Sequence, residues 1–366
     1  MEKTKVKNLA KQIRGVSYKP EDLHDSLDDN SVILLRANNI DEGKINYDDV
    51  VYVDKSKVSD EQYLKVGDVL ICTSSGSKQI VGKAASVDFE SPCTFGAFCK
   101  VVRPNSDVAD YLGTYFQSGV YRRKISEVAI GANINNIRNE HIDSLELPYY
   151  ESEQMRRIVE KIGLLQSIID NRKCELSKLD ELIKARFVEM FGDPVSNSKS
   201  WKTEPMNTVA PVGNYDGAFD DEVWLLNLDM VEAQTGKILD YLIVPKDEVG
   251  NSTCVFDKGN VLYSKLRPYL NKVVIPDRCG YATSELVPLR PVEEKINRHY
   301  LAFMLRSNEF VNMISEKVVG AKMPRVSMSE FKKFEVPLPP IELQNQFAEF
   351  VKQVDKSKFI YRYAIK

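Results

Sequence analysis

The sequence is poor in histidine and has no paired cysteines, which leaves little material for a metal site or a hydrolytic site. His24, His141 and His299 are its three histidines, and they lie among charged residues with no plausible nucleophile beside them. A hydrolytic triad needs such a partner. The six cysteines, at positions 72, 93, 99, 174, 254 and 279, form no CxxC pair. The sequence therefore argues against a zinc site, and scattered free thiols are typical of a reducing cytosol.

Long apolar runs and an excess of basic charge are also missing. No uninterrupted apolar segment approaches the roughly 20 residues that cross a bilayer, and residues 1–7 are not followed by the apolar stretch of a signal peptide. We therefore expect a cytoplasmic protein that does not contact a membrane. The net charge is −3, whereas free-standing nucleic-acid-binding domains are usually basic. Any binding to nucleic acid must use local basic patches or share phosphate contacts with a partner.

Some segments resemble catalytic motifs, but the sequence does not support a catalytic role for them. Residues 76–84 resemble a phosphate-binding loop, but five residues separate the glycines instead of four, and Ala84 replaces the hydroxyl residue that binds Mg²⁺. Asp277, Glu293 and Lys295 imitate a nuclease pattern that arises easily by chance. No Gly-rich loop for a dinucleotide or for S-adenosylmethionine follows a strand, and no amino-methyltransferase motif occurs. The sequence predicts a chain without catalytic or metal-binding residues and without a cofactor of its own.

The chain contains a long internal repeat. Residues 111–165 correspond to residues 300–354 at a constant offset of 189, so that Glu146-Leu147-Pro148 matches Glu335-Val336-Pro337. This repeat is too long for one solenoid unit, whose period is about 20 to 50 residues. It indicates a duplicated domain, and a duplicated domain favours a target with two halves.

The first halves of the two copies match weakly and the second halves match well. Short β-branched runs such as Val50–Val53, Val69–Cys72 and Val273–Ile275 predict strands. Tyr111–Ser126 and Tyr300–Ser315 predict one amphipathic helix in each copy. We predict an α+β protein with two tandem α/β domains, with domains over residues 1–150, 151–193, 194–340 and 341–366.

A long helix is predicted between the copies. Residues 151–191 lack proline, and their apolar positions alternate in steps of three and four as in a coiled coil. The expected partner is the helix beginning at Ile341, packed antiparallel and covering only part of the longer helix, unless a surface stays open for another subunit. The residues predicted to pack this seam or to contact a partner subunit are Ile158, Ile162, Leu165, Ile169, Leu176, Leu179, Ile183, Phe347, Val351 and Val354.

The ordered set of motifs resembles the specificity subunits of type I restriction–modification systems over essentially the whole chain. The junction Gly320-Ala321-Lys322-Met323-Pro324-Arg325-Val326-Ser327, followed by Phe334–Pro340, is similar to the junction found in that family. Copy one has the same junction at residues 131–137 and 145–148, and residues 186–194 resemble the family's central region. Tyr149-Tyr150 departs from the pattern, because copy two has the commoner Leu338-Pro339-Pro340, and the last helix is short.

The resemblance implies two target-recognition domains held apart by two antiparallel helices, with pseudo-twofold symmetry. Each domain would read one half of a bipartite site in double-stranded DNA, with half-sites about 10 base pairs apart. Two methyltransferase subunits would bind this chain and methylate adenine at N6 with S-adenosylmethionine. Restriction subunits could join them, and the chain itself would direct the reaction without catalysing it.

Candidate DNA-contacting residues are polar or basic, and most lie at equivalent places in both copies. The Gly/Ser-rich loop of copy one corresponds to a loop in copy two that contains an arginine suited to guanine and a tyrosine suited to packing on sugar or base. Taken singly, each is better explained as a solvated surface residue, and the hypothesis depends on the clusters. The candidates are Arg36, Asn38, Asn39, Ser74, Ser75, Lys78, Lys83, Asn133, Asn135, Asn136, Arg138, Asn227, Lys265, Arg267, Tyr269, Lys322, Arg325 and Ser327.

Two other hypotheses stay open at this stage. The chain could be a non-enzymatic scaffold that presents two protein-binding modules on a coiled coil, and salt-dependent DNA binding would separate that reading from the first. A nuclease is the third reading, and it requires Asp277, Glu293 and Lys295 to bind a metal together.

Overall fold

The computed structural model describes residues 2–90, 92–128, 135–213, 215, 217–320 and 322–363. It divides into two compact units, Met1–Ile168 and Ile169–Lys366. Each unit is mixed α/β, as the sequence predicts. In the described part of the chain, no helix combines the length and the apolar character that a membrane span needs.

Unit 1 consists of short strands followed by helices. Its strands are β1 (Lys3–Lys5), β2 (Ala10–Arg14), β3 (Leu23–His24), β4 (Ser31–Leu35), β5 (Ile40–Asp41), β6 (Lys44–Ile45), β7 (Val51–Asp54), β8 (Val69–Cys72), β9 (Ser74–Ser75), β10 (Ala84–Ser86), β11 (Cys93–Phe95), β12 (Cys99–Pro104), β13 (Asn135–Asn136) and β14 (Glu146–Pro148). Its helices are α1 (Ala109–Gln117), α2 (Gly119–Val128), α3 (Asn139–Asp143) and the start of α4 (Ser152–Phe191).

Two four-stranded sheets form the centre of unit 1. One has the order β10-β8-β12-β2 and is antiparallel, and the other has the order β11-β4-β7-β3 with a parallel β11–β4 pair. The central strands β4 and β8 are buried along their length, except for half-buried Ile33, because their apolar side chains face the cores on both sides. Helices α1 and α2 add Leu112, Phe116 and Ile125 to the same core as β8 and β12.

Unit 2 repeats this plan. Its strands are β15 (Thr203–Pro205), β16 (Glu222–Leu226), β17 (Leu242–Pro245), β18 (Thr253–Phe256), β19 (Val261–Ser264), β20 (Val273–Val274), β21 (Gly280–Thr283), β22 (Leu286–Leu289), β23 (Val318–Val319), β24 (Arg325–Val326) and β25 (Glu335–Pro337). Its helices are the end of α4, α5 (Met206–Val209), α6 (Arg298–Arg306), α7 (Asn308–Ser315), α8 (Met328–Lys333) and α9 (Ile341–Tyr363).

The sheets of unit 2 correspond to those of unit 1. The four-stranded sheet has the order β17-β16-β21-β18, with a parallel β16–β21 pair, and a second sheet has the order β20-β19-β22. Within each unit, the strand before the helical tail pairs with an early strand of the same unit, β14 with β1 and β25 with β15.

Matched hydrogen bonds show that the repeated residues have the same structural role in each unit. The hydroxyl of Tyr111 donates to the carbonyl of Pro148 at 2.9 Å, and the hydroxyl of Tyr300 donates to the carbonyl of Pro337 at 2.8 Å. Both residues of the second pair lie 189 positions after those of the first, as the sequence offset requires. The bond fixes the first of the two paired helices to the strand that leads into the long helix.

The predicted single helices over 111–126 and 300–315 are each two helices. The chain is extended at Ser118 between α1 and α2, and at Ser307 between α6 and α7. Each serine hydroxyl accepts a hydrogen bond from the backbone three residues later, at Tyr121 and at Phe310, and so caps the second helix. Apolar periodicity alone hides such a break, because the apolar residues resume on the new helix.

The predicted long helix is confirmed as α4, which runs for 40 residues. Its last turns pack in unit 2 against α9. Phe187 meets Phe347 with ring centroids 5.5 Å apart, and Asp180 pairs with Lys358 at 2.6 Å. Since residue numbers fall along α4 as they rise along α9, the two helices are antiparallel in this stretch.

Candidate nucleic-acid interface

Each unit brings its front loop and its junction segment together by one shared backbone contact. In unit 1, the amide of Ile137 donates to the carbonyl of Thr73 at 2.8 Å, and in unit 2 the amide of Val326 donates to the carbonyl of Lys265 at 2.8 Å. Next to these bonds, backbone β-bridges join Asn136 to Ser74 and Arg325 to Leu266. Two clusters that lie about 60 residues apart in sequence therefore form one surface in each unit, and the loop positions correspond at an offset of 192.

The surface in unit 1 is polar and mostly uncharged. Ser74 and Ser75 are half-buried in β9, whereas Asn136, Arg138 and Lys78 are exposed. Asn135 lies in β13 beside Ser75. Asn133 falls outside the described residues. Serine and asparagine side chains both donate and accept hydrogen bonds, so this surface can meet base edges as well as phosphates.

Arg122 on α2 holds residues 78–81 of the unit 1 loop in place, a role that the sequence pattern did not reveal. Its guanidinium donates to the backbone carbonyls of Lys78, Gln79 and Val81. Three carbonyls on one guanidinium hold residues 78–81 against α2, which leaves the side chain of Lys78 pointing into solvent.

The surface in unit 2 is cationic and aromatic. Arg267, Tyr269 and Lys322 are exposed, and Lys265 is half-buried. Arg325 is exposed but pairs with Glu285 through two nitrogens, at 3.1 and 2.9 Å. This carboxylate raises the pKa of Arg325. Ser327 is half-buried, with its hydroxyl 2.9 Å from that of Ser329.

The candidates in the first halves of the copies are more engaged within the fold. The carboxylate of Asp49 accepts from Arg36 and from Asn38, both at 2.9 Å. Asn39 is fully buried, and its side-chain oxygen accepts from the amide of Arg36 at 2.8 Å. Asn39 therefore stabilises its own loop and does not face solvent.

Acidic neighbours also reduce the positive charge near these loops. Lys83 lies 3.3 Å from Asp41. In unit 2, Asn227 is half-buried, and Lys272 donates to the carbonyl of Leu228 at 2.8 Å behind it. Burial lowers the pKa of Lys272. Part of the positive charge near these loops is therefore neutralised within the fold.

The residues predicted for the helix seam divide into packed and exposed groups. Ile183, Phe347, Val351 and Val354 are buried in one cluster of unit 2, with Leu179 partly buried against it. Ile158 is partly buried against the core of unit 1. Ile169 and Leu176 are half-buried, whereas Ile162 and Leu165 are 44% and 60% exposed. Ile162 and Leu165 are not covered by described residues, so their predicted role in helix packing or in contact with a partner subunit stays a prediction.

The residues of the nuclease-like pattern have other partners. Asp277 pairs with Arg278 at 3.1 Å, and Lys295 pairs with Glu204 at 2.7 Å. Among the described residues, no group of three or more His, Cys, Asp or Glu side chains could hold a metal ion. The geometry described here gives no support to that pattern.

Comparison with known proteins shows that the chain is similar to type I specificity proteins. Residues 230–361 match a family described as the type I restriction modification DNA specificity domain. The chain is 34% identical over 215 residues to the type I restriction enzyme EcoKI specificity subunit of Escherichia coli (strain K12), and 37% identical over 180 residues to the StySPI specificity subunit of Salmonella potsdam. These matches cover 58% and 49% of this chain but only 46% and 39% of the two relatives.

Solved structures share the fold over a greater length. An S subunit of a type I restriction-modification system from M. genitalium covers 100% of this chain, with 91% of its own length matched, a TM-score of 0.53 and 13% identity. A chain from a study of complex assembly and conformational transition of the type I R-M system matches with a TM-score of 0.57 and 15% identity, over 100% of this chain and 93% of that one.

Proposed function

We infer from its similarity to type I restriction enzyme specificity subunits that this chain is the DNA-recognition subunit of such an enzyme. One observation in the structure carries the inference furthest. Each unit joins a variable front loop to a repeated junction through the same backbone contact, and each joined surface exposes polar or basic side chains. A repeated framework that presents different side chains is what reading two different half-sites requires.

The proposed target is double-stranded DNA with two separate half-sites, one for each unit. Hydrogen bonds from loop side chains to base edges would select the sequence, and contacts to phosphates would set the position on the duplex. The spacing between half-sites stays a prediction of about one helical turn.

The chemistry would belong to partner subunits. We propose that methyltransferase subunits, which supply S-adenosylmethionine, methylate adenine at N6 where this chain places them, and that restriction subunits can join. The net charge of −3 and the pairing of Arg36, Lys83 and Arg325 with acidic side chains support shared phosphate contacts, because partners can supply further cations. The exposed residues Ile162, Leu164 and Leu165 on α4 are available for such a contact.

The test is to co-express the chain with its partner methyltransferase and to map adenine methylation across the host genome. We expect one motif with two specified parts and an unspecified gap. A contiguous motif would contradict the proposal, and methylation without any sequence preference would do the same. A pure scaffold predicts that binding of the complex to DNA does not weaken with salt, whereas DNA recognition predicts that it does.

A further inference from the structure

The two recognition surfaces differ in chemistry at one equivalent position, where unit 1 has Ser75 and unit 2 has Arg267. The equivalence follows from the backbone contacts, since β-bridges join Ser74 to Asn136 in unit 1 and Leu266 to Arg325 in unit 2. The next loop residue is Ser75 in one unit and Arg267 in the other. A short hydroxyl and a long guanidinium at the same place would read different bases.

The backbone around Arg267 is held at many points. Arg267 has φ 50° and ψ 65°, a left-handed conformation that costs a residue with a side chain about 1 kcal/mol or more. Its amide donates to the carbonyl of Pro324 at 2.8 Å, and its carbonyl accepts from the amide of Leu270 at 2.9 Å. Pro268, which follows it, is buried. The junction segment and the loop therefore fix the direction in which the Arg267 side chain leaves the backbone.

The far end of the same loop is anchored as firmly. Asn271 also has a positive φ, of 51°, and its buried side chain donates to the carbonyl of Arg306 at 3.0 Å. Gln234 donates to the carbonyl of Tyr269 from its side chain at 2.8 Å and to that of Leu270 from its backbone at 2.9 Å. With both ends fixed, the exposed groups that the loop presents are the Arg267 and Tyr269 side chains. Such a loop loses little conformational entropy when it binds.

Arg267 differs from the other two arginines around this loop. Arg306 is half-buried and donates to the carbonyl of Val273 at 3.1 Å, and Arg325 is paired with Glu285. The side chain of Arg267 is exposed and bonds no other side chain in the described part of the protein. Of these three arginines, Arg267 is therefore the one whose guanidinium is available for a bidentate contact with a ligand.

We propose that Arg267 determines the specificity of unit 2 by contacting a guanine in the half-site that this unit reads. An arginine fork matches the O6 and N7 acceptors of guanine in the major groove, and it is the commonest base-specific contact of this kind. Ser75 gives unit 1 no equivalent fork. This proposal rests on the proposed function, and it adds the residue, the base and the unit.

The experiment tests whether the contribution of Arg267 to DNA-binding affinity depends on the N7 atom of one particular guanine. The full chain in complex with its methyltransferase is titrated with duplexes that carry its methylation motif. In these duplexes each guanine is replaced, one at a time, by 7-deazaguanine, which lacks the N7 acceptor. For the wild type we expect one position, in one half-site, where the replacement weakens binding about tenfold or more.

Arg267→Gly should weaken binding to the unmodified duplex by a similar factor and remove the effect of 7-deazaguanine at that position. Glycine adopts a positive φ without strain, so this variant should unfold at the same temperature as the wild type or higher. Arg267→Asn, which also tolerates this backbone, should show the same loss. Ser75→Gly is the matched control in unit 1, and it should keep the full effect at the guanine.

The proposal is overturned if every 7-deazaguanine weakens the wild type and Arg267→Gly by the same factor, or if the methylation motif contains no guanine. Failure of the proposed function would give a different experimental result. In that case the wild-type complex methylates no bipartite motif at all, which is seen before any variant is made and removes the basis of this inference as well.

Discussion

His299 shows how one buried side chain links stability to pH. It is half-buried on α6, and its Nδ1 has no hydrogen-bond partner in the described part of the chain. Burial lowers its pKa from 6.5 to about 4, and the cations Arg298, Lys352 and Arg306 act in the same direction, against Asp355. The unfolded chain therefore takes up a proton near pH 6.5 that the folded chain does not take up until about pH 4.

We expect the free energy of unfolding to fall as the pH falls from about 6.5 to about 4, with His299 contributing on the order of 2 kcal/mol. His299→Gln removes the titrating group, so its unfolding free energy should change less with pH over this range. Denaturant unfolding of both proteins at several pH values measures the difference. Parallel curves for the two proteins would show that this imidazole does not titrate as described.

The two tyrosine hydroxyls that bond Pro148 and Pro337 give a matched pair. Tyr300 is 1% exposed and Tyr111 is 9% exposed. Removing a hydroxyl leaves a carbonyl without a partner, and the cost is greater where water cannot reach that carbonyl. We expect Tyr111→Phe to lower the free energy of unfolding by about 1 kcal/mol and Tyr300→Phe by about 2 kcal/mol. Urea unfolding compares them, and a greater loss for Tyr111→Phe would contradict the reasoning.

At the scale of elements, the long helix carries the same apolar pattern over its whole length but is covered over only part of it. Phe347 of α9 is fully buried among Phe187, Phe191 and Phe303, whereas Leu165 of α4 is 60% exposed. Both residues were predicted to pack this seam or to contact a partner subunit. The pattern identifies which side of a helix is apolar, but it does not show where along the helix a neighbour ends.

Phe347→Ala should lower the free energy of unfolding of unit 2 by about 3 to 5 kcal/mol, because it removes a fully buried ring from the main core. Leu165→Ala is its control and should change the free energy of unfolding by less than about 0.5 kcal/mol in the isolated chain. Thermal or denaturant unfolding measures both. A large loss for Leu165→Ala would mean that α4 is covered in solution by another surface.

At the scale of the whole molecule, charge bears on the proposed binding of the isolated chain to DNA. The net charge is −3, and several basic side chains of the candidate surfaces are paired with Asp41, Asp49 or Glu285. We expect the isolated chain to bind duplex DNA with a shallow dependence on salt, and its complex with the methyltransferase to show a steeper one. Each phosphate contact adds about 0.9 to the slope of log affinity against log salt. Equal slopes for the chain and the complex would contradict shared phosphate contacts.

The sequence by itself determined the duplication, the mixed α/β class and the long helix, because these depend on spacing and periodicity that a single chain records. It also matched Ser74 with Lys265 as loop candidates, and Asn136 with Arg325 as junction candidates. Only the tertiary structure decided which of these side chains are available. The helix breaks at Ser118 and Ser307, the burial of Asn39, the pairing of Arg325 with Glu285 and the fixed left-handed backbone of Arg267 all arise from contacts between segments far apart in the chain. Such contacts leave no periodic signal in a sequence, because each depends on where distant backbone segments meet after folding.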